Sequence, residues 1–222
     1  MRNFILLLFS LTAICSSPRC IAQQSDDFDD PLGIGLLVFT FSEGQSFDLY
    51  RLNDDGTVSN YPFTTIVVSQ GEMSLRPVAS NEKEWKMFVM YEEWDLYHCI
   101  CYRKMDEQGY YVIEFGDGIQ CCISQDIGQF YDWISYLRVV GNSVYRPDPA
   151  TNQLRKSADE EGISIESKIK KGEHSLRPVQ IQGEWIQVNL YEADCEDSKS
   201  FASGWIKWRD DGELLIRISY IC

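Results

Sequence analysis

The octapeptide GEMSLRPV, Gly71 to Val78, returns as GEHSLRPV, Gly172 to Val179, with seven of eight residues identical. A matched tail follows each copy: Trp85, Phe88 and Tyr91-Glu92 after the first, Trp185, Val188 and Tyr191-Glu192 after the second. One deletion between octapeptide and tryptophan accounts for the whole difference in register. An internal match of this kind reads as a tandem duplication of one structural unit, and each copy carries its own large apolar anchor. It divides the chain into a first copy over residues 35–125 and a second over 126–222.

The segments around the repeat have the composition and alternation of strands. Leu36 to Phe41, Phe47 to Tyr50, Thr64 to Val68, Met87 to Tyr91, Leu96 to Tyr102 and Tyr110 to Phe115 are rich in β-branched and aromatic residues. Turn chemistry separates them at Ser42 to Gln45, Asn53-Asp54-Asp55-Gly56 and Asp106 to Gly109, where glycine accepts positive φ. The second copy repeats the order through a turn at Gly141-Asn142 and a strand at Val144 to Arg146. Residues 147–162, polar and with two prolines, read as an exposed loop. Ile163 to Ile169 begins in strand-like alternation, Glu184 to Tyr191 is the next strand, and Arg209 to Gly212 turns a last hairpin. Phe130 to Val140 fits either period; a helical start around Gln129 to Trp133, then strand, is the expectation. Short strands with frequent turns predict an all-β chain of small barrels or sandwiches.

The N-terminus reads as a secretory signal peptide over residues 1–22. Arg2 precedes the apolar run Phe4 to Ile14, and Cys20-Ile21-Ala22 ends in a small residue suited to cleavage. That run is too short for a bilayer core, which needs about 20 residues, and no later segment is apolar enough to span one. Ile14 and Arg19 stand before Cys15 and Cys20 where a lipobox carries a small residue, which favours simple cleavage over lipidation. These features place the mature chain in the periplasm, at the cell surface or secreted from a bacterium. Residues 23–34 (QQSDDFDDPLGI) read as a disordered acidic leader. The whole chain has 34 acidic against 20 basic residues, and processing removes Arg2 and Arg19 but no acid. With no basic run to offset that balance, nucleic acid is excluded as a partner.

Six cysteines lie beyond the signal: Cys99, Cys101, Cys121, Cys122, Cys195 and Cys222. An even count in an exported chain reads as disulfides. Cys195 with Cys222 is the expected second-copy pair, and one link is expected between the Cys99/Cys101 and Cys121/Cys122 clusters. Their spacing is not the paired CxxC of a zinc ribbon and no histidine completes a ligand set, so no metal is expected.

The second copy resembles a bacterial SH3-type (SH3b) domain over roughly residues 141–222. The residues that carry the likeness are Asn142-Ser143-Val144-Tyr145-Arg146-Pro147, Lys170-Lys171-Gly172-Glu173, Gly183-Glu184-Trp185-Ile186-Gln187-Val188 and Gly204-Trp205-Ile206. The first copy resembles the family through the second: Gly71-Glu72 and Trp85 match, Phe88 stands for Val188, and Gly-Trp-Ile has become His98-Cys99-Ile100. The resemblance implies tandem SH3-like β-barrels and a targeting or binding role, often toward peptidoglycan or peptides.

Catalytic chemistry finds little support in the residues. The chain has two histidines: His98 adjoins Cys99, but neighbours on a strand face opposite ways, and His174 stands where the first copy has Met73. No phosphate loop, serine elbow or HExxH occurs. The expectation is a protein that is not an enzyme and needs no cofactor. Trp85 and Trp185 read as core anchors. Tyr91, Tyr102, Tyr145, Tyr191, Trp205 and Trp208 are the candidate ligand-binding aromatics, and parity places Trp205 and Trp208 on opposite faces, one of them exposed. Arg76 and Arg177, each just before a proline, are expected in a repeated internal salt bridge. The expected function is recognition of cell-envelope material, a wall glycan or peptide or an envelope protein, through aromatic-lined loops. The alternatives are an assembly subunit docking a protein through the face between the barrels, or an enzyme inhibitor presenting residues 192–203.

Overall fold

A computed structural model describes residues 30–42, 44–69, 74–77, 87–91, 96–116, 118–169, 174–192 and 199–220. The expected signal peptide, Trp85, Cys195 and Cys222 lie outside the described residues. The described residues are mostly β, with antiparallel pairing between the long strands and one short α-helix among them. No helix among the described residues is long and apolar enough to cross a membrane.

The first half runs through β1 (Gly35–Phe39), β2 (Ser46–Leu52), β3 (Val58–Ser69), β4 (Ser74–Pro77), β5 (Val89–Tyr91), β6 (Leu96–Met105), β7 (Tyr110–Phe115) and β8 (Ile119–Ser124). β9 (Gln129–Asp132) follows and joins the same sheet. The order is β4-β3-β2-β8-β7-β6-β1-β9, with β5 also paired to β6. The predicted turns lie where glycine permits them: Gly56 and Gly109 have φ of 78° and 75°. Inward residues from β1, β2, β3, β6, β7 and β8 meet in one core that includes Leu37, Phe39, Leu49, Ile66, Ile113 and Ile123.

The second half contains helix α1 (Trp133–Val139), β10 (Ser143–Tyr145), β11 (His174–Gln182), β12 (Trp185–Glu192), β13 (Ala202–Lys207), β14 (Arg209–Asp210), β15 (Glu213–Leu214) and β16 (Arg217–Ser219). Five of these strands form a sheet in the order β13-β12-β11-β10-β16, and β14 with β15 forms a small hairpin. Neither large sheet closes into a barrel among the described residues. The segment expected to run helix then strand does the reverse. Gln129 to Asp132 are drawn into register with β1, and Asp132 then caps α1 by accepting the Ser135 N–H at 2.8 Å. Trp133, Tyr136 and Leu137, spaced three and four apart, form the buried face of that helix. The expected strand over 163–169 is instead an isolated bridge between Ser164 and Arg155 followed by a 3₁₀ turn at Glu166–Lys168.

β1 joins the two halves. Leu37 and Phe39 face the first-half core, whereas Leu36 packs with Trp133, Tyr136, Val144, Leu176, Ile186, Val188 and Ile206 in a second core. Continuous apolarity in Leu36 to Phe39 therefore reflects burial on both faces. Residues 30–34 were expected within a disordered leader, but Asp30 and Leu32 contact the second half, and the Ile34 N–H donates to the Cys101 carbonyl of β6 at 2.8 Å. Leu32 lies in the shared core and its carbonyl accepts the Trp133 indole N–H at 3.0 Å, while Asp30 accepts Arg209 at 2.6 Å.

One polar thread runs along this seam. His98, fully buried on β6, has Nδ1 2.7 Å from the Tyr136 hydroxyl, which donates to the Tyr220 hydroxyl at 3.0 Å. The His98 Nε2 has no partner among the described residues. Burial alone holds the imidazole neutral and lowers its pKa to about 4.

The four first-half cysteines are buried free thiols. The link expected between their clusters is absent because β7 lies between β6 and β8: Cys101 opposes Ile113, and Ile113 opposes Cys121. Two strand spacings put such positions about 10 Å apart, beyond the roughly 7 Å that a disulfide can bridge. Burial pushes the Cys101 and Cys122 thiols up to about 12 and about 11, and raises those of Cys99 and Cys121 as well. They remain protonated packing groups.

Two outcomes follow for stability. Leu36→Ala should lower the unfolding free energy by roughly 2–5 kcal/mol. Because the core is shared, far-UV circular dichroism and tryptophan fluorescence should report one coincident urea transition, and separate transitions would show independent halves. His98 binds a proton in the unfolded chain near its ordinary 6.5 but in the folded chain only near 4. Stability should thus be full above pH 6.5 and fall as pH drops toward 4, by at most about 1.4 kcal/mol per pH unit. His98→Phe should flatten that slope between pH 6.5 and 4.5, and an unchanged slope would assign it elsewhere.

Candidate ligand-binding groove

The loop over 147–162 builds one wall of a groove in the second half. Its first turn is set by Asp148, whose carboxylate accepts the Ala150 N–H at 3.0 Å and the Thr151 hydroxyl at 2.9 Å. Those bonds, the Thr151 hydroxyl foremost, hold the Asp148 carboxyl below its ordinary range. The loop is then stitched along the edge of β13. Asn152 donates its amide to the Lys207 carbonyl at 2.6 Å and accepts the Lys207 N–H at 2.9 Å. Arg155 and Trp205 exchange two backbone hydrogen bonds, each of 2.8 Å. Edge N–H and C=O groups that would face solvent are thereby satisfied.

Two internal devices fix this stitching. The Arg146 guanidinium, nearly buried, pairs with Glu166 and donates to the Asn152 carbonyl at 2.9 Å; Glu166 also accepts the Leu154 N–H at 2.6 Å. Leu154, fully buried, sits directly over Gly204. A Cβ on Gly204 would lie 2.7 Å from Leu154 Cγ and 2.8 Å from the Arg155 carbonyl oxygen, so the Gly-Trp-Ile glycine is required by close approach.

The resulting groove has a volume of about 480 Å³. Trp185 is at its base, 8% exposed, with the Arg155 guanidinium 5.9 Å from the ring centroid. Pro147, Leu214 and Leu215 supply apolar wall. Lys207 lies in a carboxylate cage: Asp210 at 2.7 Å, Glu160 at 3.1 Å and Glu184 at 3.3 Å. Asp210 foremost, with Glu160 and Glu184, raises the ammonium well above the ordinary lysine value despite its partial desolvation. Lys207 is therefore a fixed cation that organises three acids and not a proton donor or nucleophile near neutral pH.

The six sequence candidates do not gather here. Trp208 is 3% exposed in the shared core, tilted 5.3 Å from Trp133, with its indole N–H donated to the Gly183 carbonyl at 3.0 Å. Trp205 is 9% exposed. Parity predicted one exposed ring of the two, but Trp208 lies just past β13, where the strand alternation ends and the chain folds back over the core. Tyr191 is half-buried under the Arg177 guanidinium at 4.4 Å, so the contact seen for Arg177 is with a ring where an ion pair was expected. The side chain of Arg76 lies outside what is described. Tyr145 is 46% exposed on β10, two residues before Pro147. Tyr102 is in the first half, buried, donating to Glu114 at 3.0 Å beside a smaller cavity of about 210 Å³ with Met87, Phe88 and Ile100. Tyr91 ends β5 opposite Leu96 in backbone register.

Asp148, Arg155, Glu160, Lys207 and Asp210 were not singled out in the sequence. The signal for Asp148, Arg155 and Glu160 was the polar loop that begins at Pro147; Lys207 and Asp210, on strands, had none. No protein-family model, curated protein or solved structure matches this chain.

Gly204→Ala should lift the loop from β13 and cost about 1–3 kcal/mol. Thermal unfolding would read the loss, and limited proteolysis should cut residues 147–162 faster. Wild-type stability with an uncut loop would show that the contact yields freely.

Proposed function

We propose that this is an exported, non-catalytic binding module that recognises cell-envelope material, peptidoglycan or an envelope protein or peptide. In this reading its second half is an SH3b-like unit. The observation that carries the reading is the groove over Trp185: an aromatic base, an apolar wall and fixed polar groups, held on a loop that is braced against a strand edge. Such a surface binds by pre-organisation, since little ordering remains to be done when a ligand enters. The face between the two halves is occupied by the shared core around Trp133 and Tyr136. That occupancy supports recognition by the outer loops. The likeness of Asn142 to Pro147, Gly183 to Val188 and Gly204 to Ile206 to the SH3b pattern points the same way, because the loop that follows Pro147 forms the groove wall.

The test is retention of purified mature protein on insoluble peptidoglycan, with Glu160→Lys alongside. Glu160 is an exposed side chain at the groove, so reversing its charge leaves the core untouched. Wild-type retention at moderate salt with at least a tenfold loss in the variant is the expected outcome. Absence of wild-type retention would overturn wall recognition and move the search to envelope proteins.

A further inference from the structure

The groove also has a sign. Four carboxylates, Asp148, Glu160, Glu184 and Asp210, meet two cations, Arg155 and Lys207. Both cations are spent on internal work. Lys207 is 18% exposed and shared among three acids, of which it can neutralise one. Arg155 is 20% exposed, lies over Trp185, donates to the Glu160 and Gly162 carbonyls at 2.5 and 3.0 Å, and stands 3.9 Å from the Glu160 carboxylate. The acids face the other way: Glu160 is 65%, Asp210 56% and Glu184 47% exposed. Surplus negative charge therefore lies at the rim, above an indole and against the low-dielectric wall of Pro147, Leu214 and Leu215, an arrangement that concentrates the field.

We infer that the groove is built for a peptide segment that presents a free primary amine beside an apolar group. This rests on the binding-module reading and narrows its ligand class. An incoming ammonium gains carboxylate acceptors at the rim, while its apolar neighbour covers the leucine wall. A carboxylate-terminated or phosphorylated ligand meets like charge from the rim and from a chain with 34 acidic residues against 20 basic ones. A neutral glycan gains nothing from the charge, so charge dependence separates the peptide from the sugar.

The experiment measures retention of the full mature chain on insoluble peptidoglycan before and after its free amines are acetylated with acetic anhydride. Glu160→Lys and Asp54→Lys are run beside the wild type; Asp54 is an exposed turn residue of the first half with the same charge change. Acetylation should reduce wild-type retention at least tenfold, Glu160→Lys should lose it on untreated material, and Asp54→Lys should retain it. Wild-type retention that survives acetylation but is lost in Glu160→Lys would overturn the amine preference and leave a groove that reads glycan. Equal losses in Glu160→Lys and Asp54→Lys would overturn it in favour of diffuse attraction by net charge. Retention untouched by Glu160→Lys would overturn the groove reading itself.

Discussion

The burial of β1 on both faces is the constraint on which the rest of the structure depends. Side chains alternate across a strand, so one five-residue segment supplies Leu37 and Phe39 to one core and Leu36 to the other. Neither face can be exchanged for the other, because a one-residue slip would transfer each set into the wrong core. β6 on one side and β9 on the other hold that register, and β9 leads directly into α1. The position of Trp133 and Tyr136, and through them Trp208 and Tyr220, is thus set from the first half of the chain. The buried His98–Tyr136–Tyr220 thread adds direction to a seam that apolar packing alone would leave permissive.

The groove follows from a separate but connected problem, the open edge of β13. Unpaired backbone groups at a sheet edge are unfavourable if covered and adhesive if exposed. The loop over 147–162 resolves this by using one amide side chain and one backbone bridge as substitute strand contacts. Holding the loop there leaves a cleft between it, the β14–β15 hairpin and the end of β12. The charges in the cleft stand on rigid supports, which allows a surface groove to keep a definite shape without a ligand.

The repeated octapeptide shows how far local information reaches. SLRP is extended in both copies, yet β4 pairs with β3 whereas β11 pairs with β10 and β12. In the first half Thr64 to Ser69, rich in β-branched residues, is an available partner. In the second the corresponding segment turns at Glu166–Lys168 and cannot pair, so the same sequence takes other neighbours. The strands and turns were legible because period, β-branching and Asp-Gly or Gly turns are local properties. The order of β9 and α1 was not, because Gln129 to Asp132 become a strand only beside β1. Cysteine pairing was not either, since the intervening β7 is a fact of topology.

By itself the sequence determined that the chain is built from short strands, that it repeats an element and that it is strongly acidic. Each of these depends on composition or on contacts between near neighbours. Only the tertiary structure decided that the two halves share a core, that Trp205 and Trp208 are buried, and that Asp148, Glu160, Lys207 and Asp210 converge over Trp185. Those outcomes depend on which strand edges remain open and which faces are covered once distant segments meet, and no local spacing encodes that.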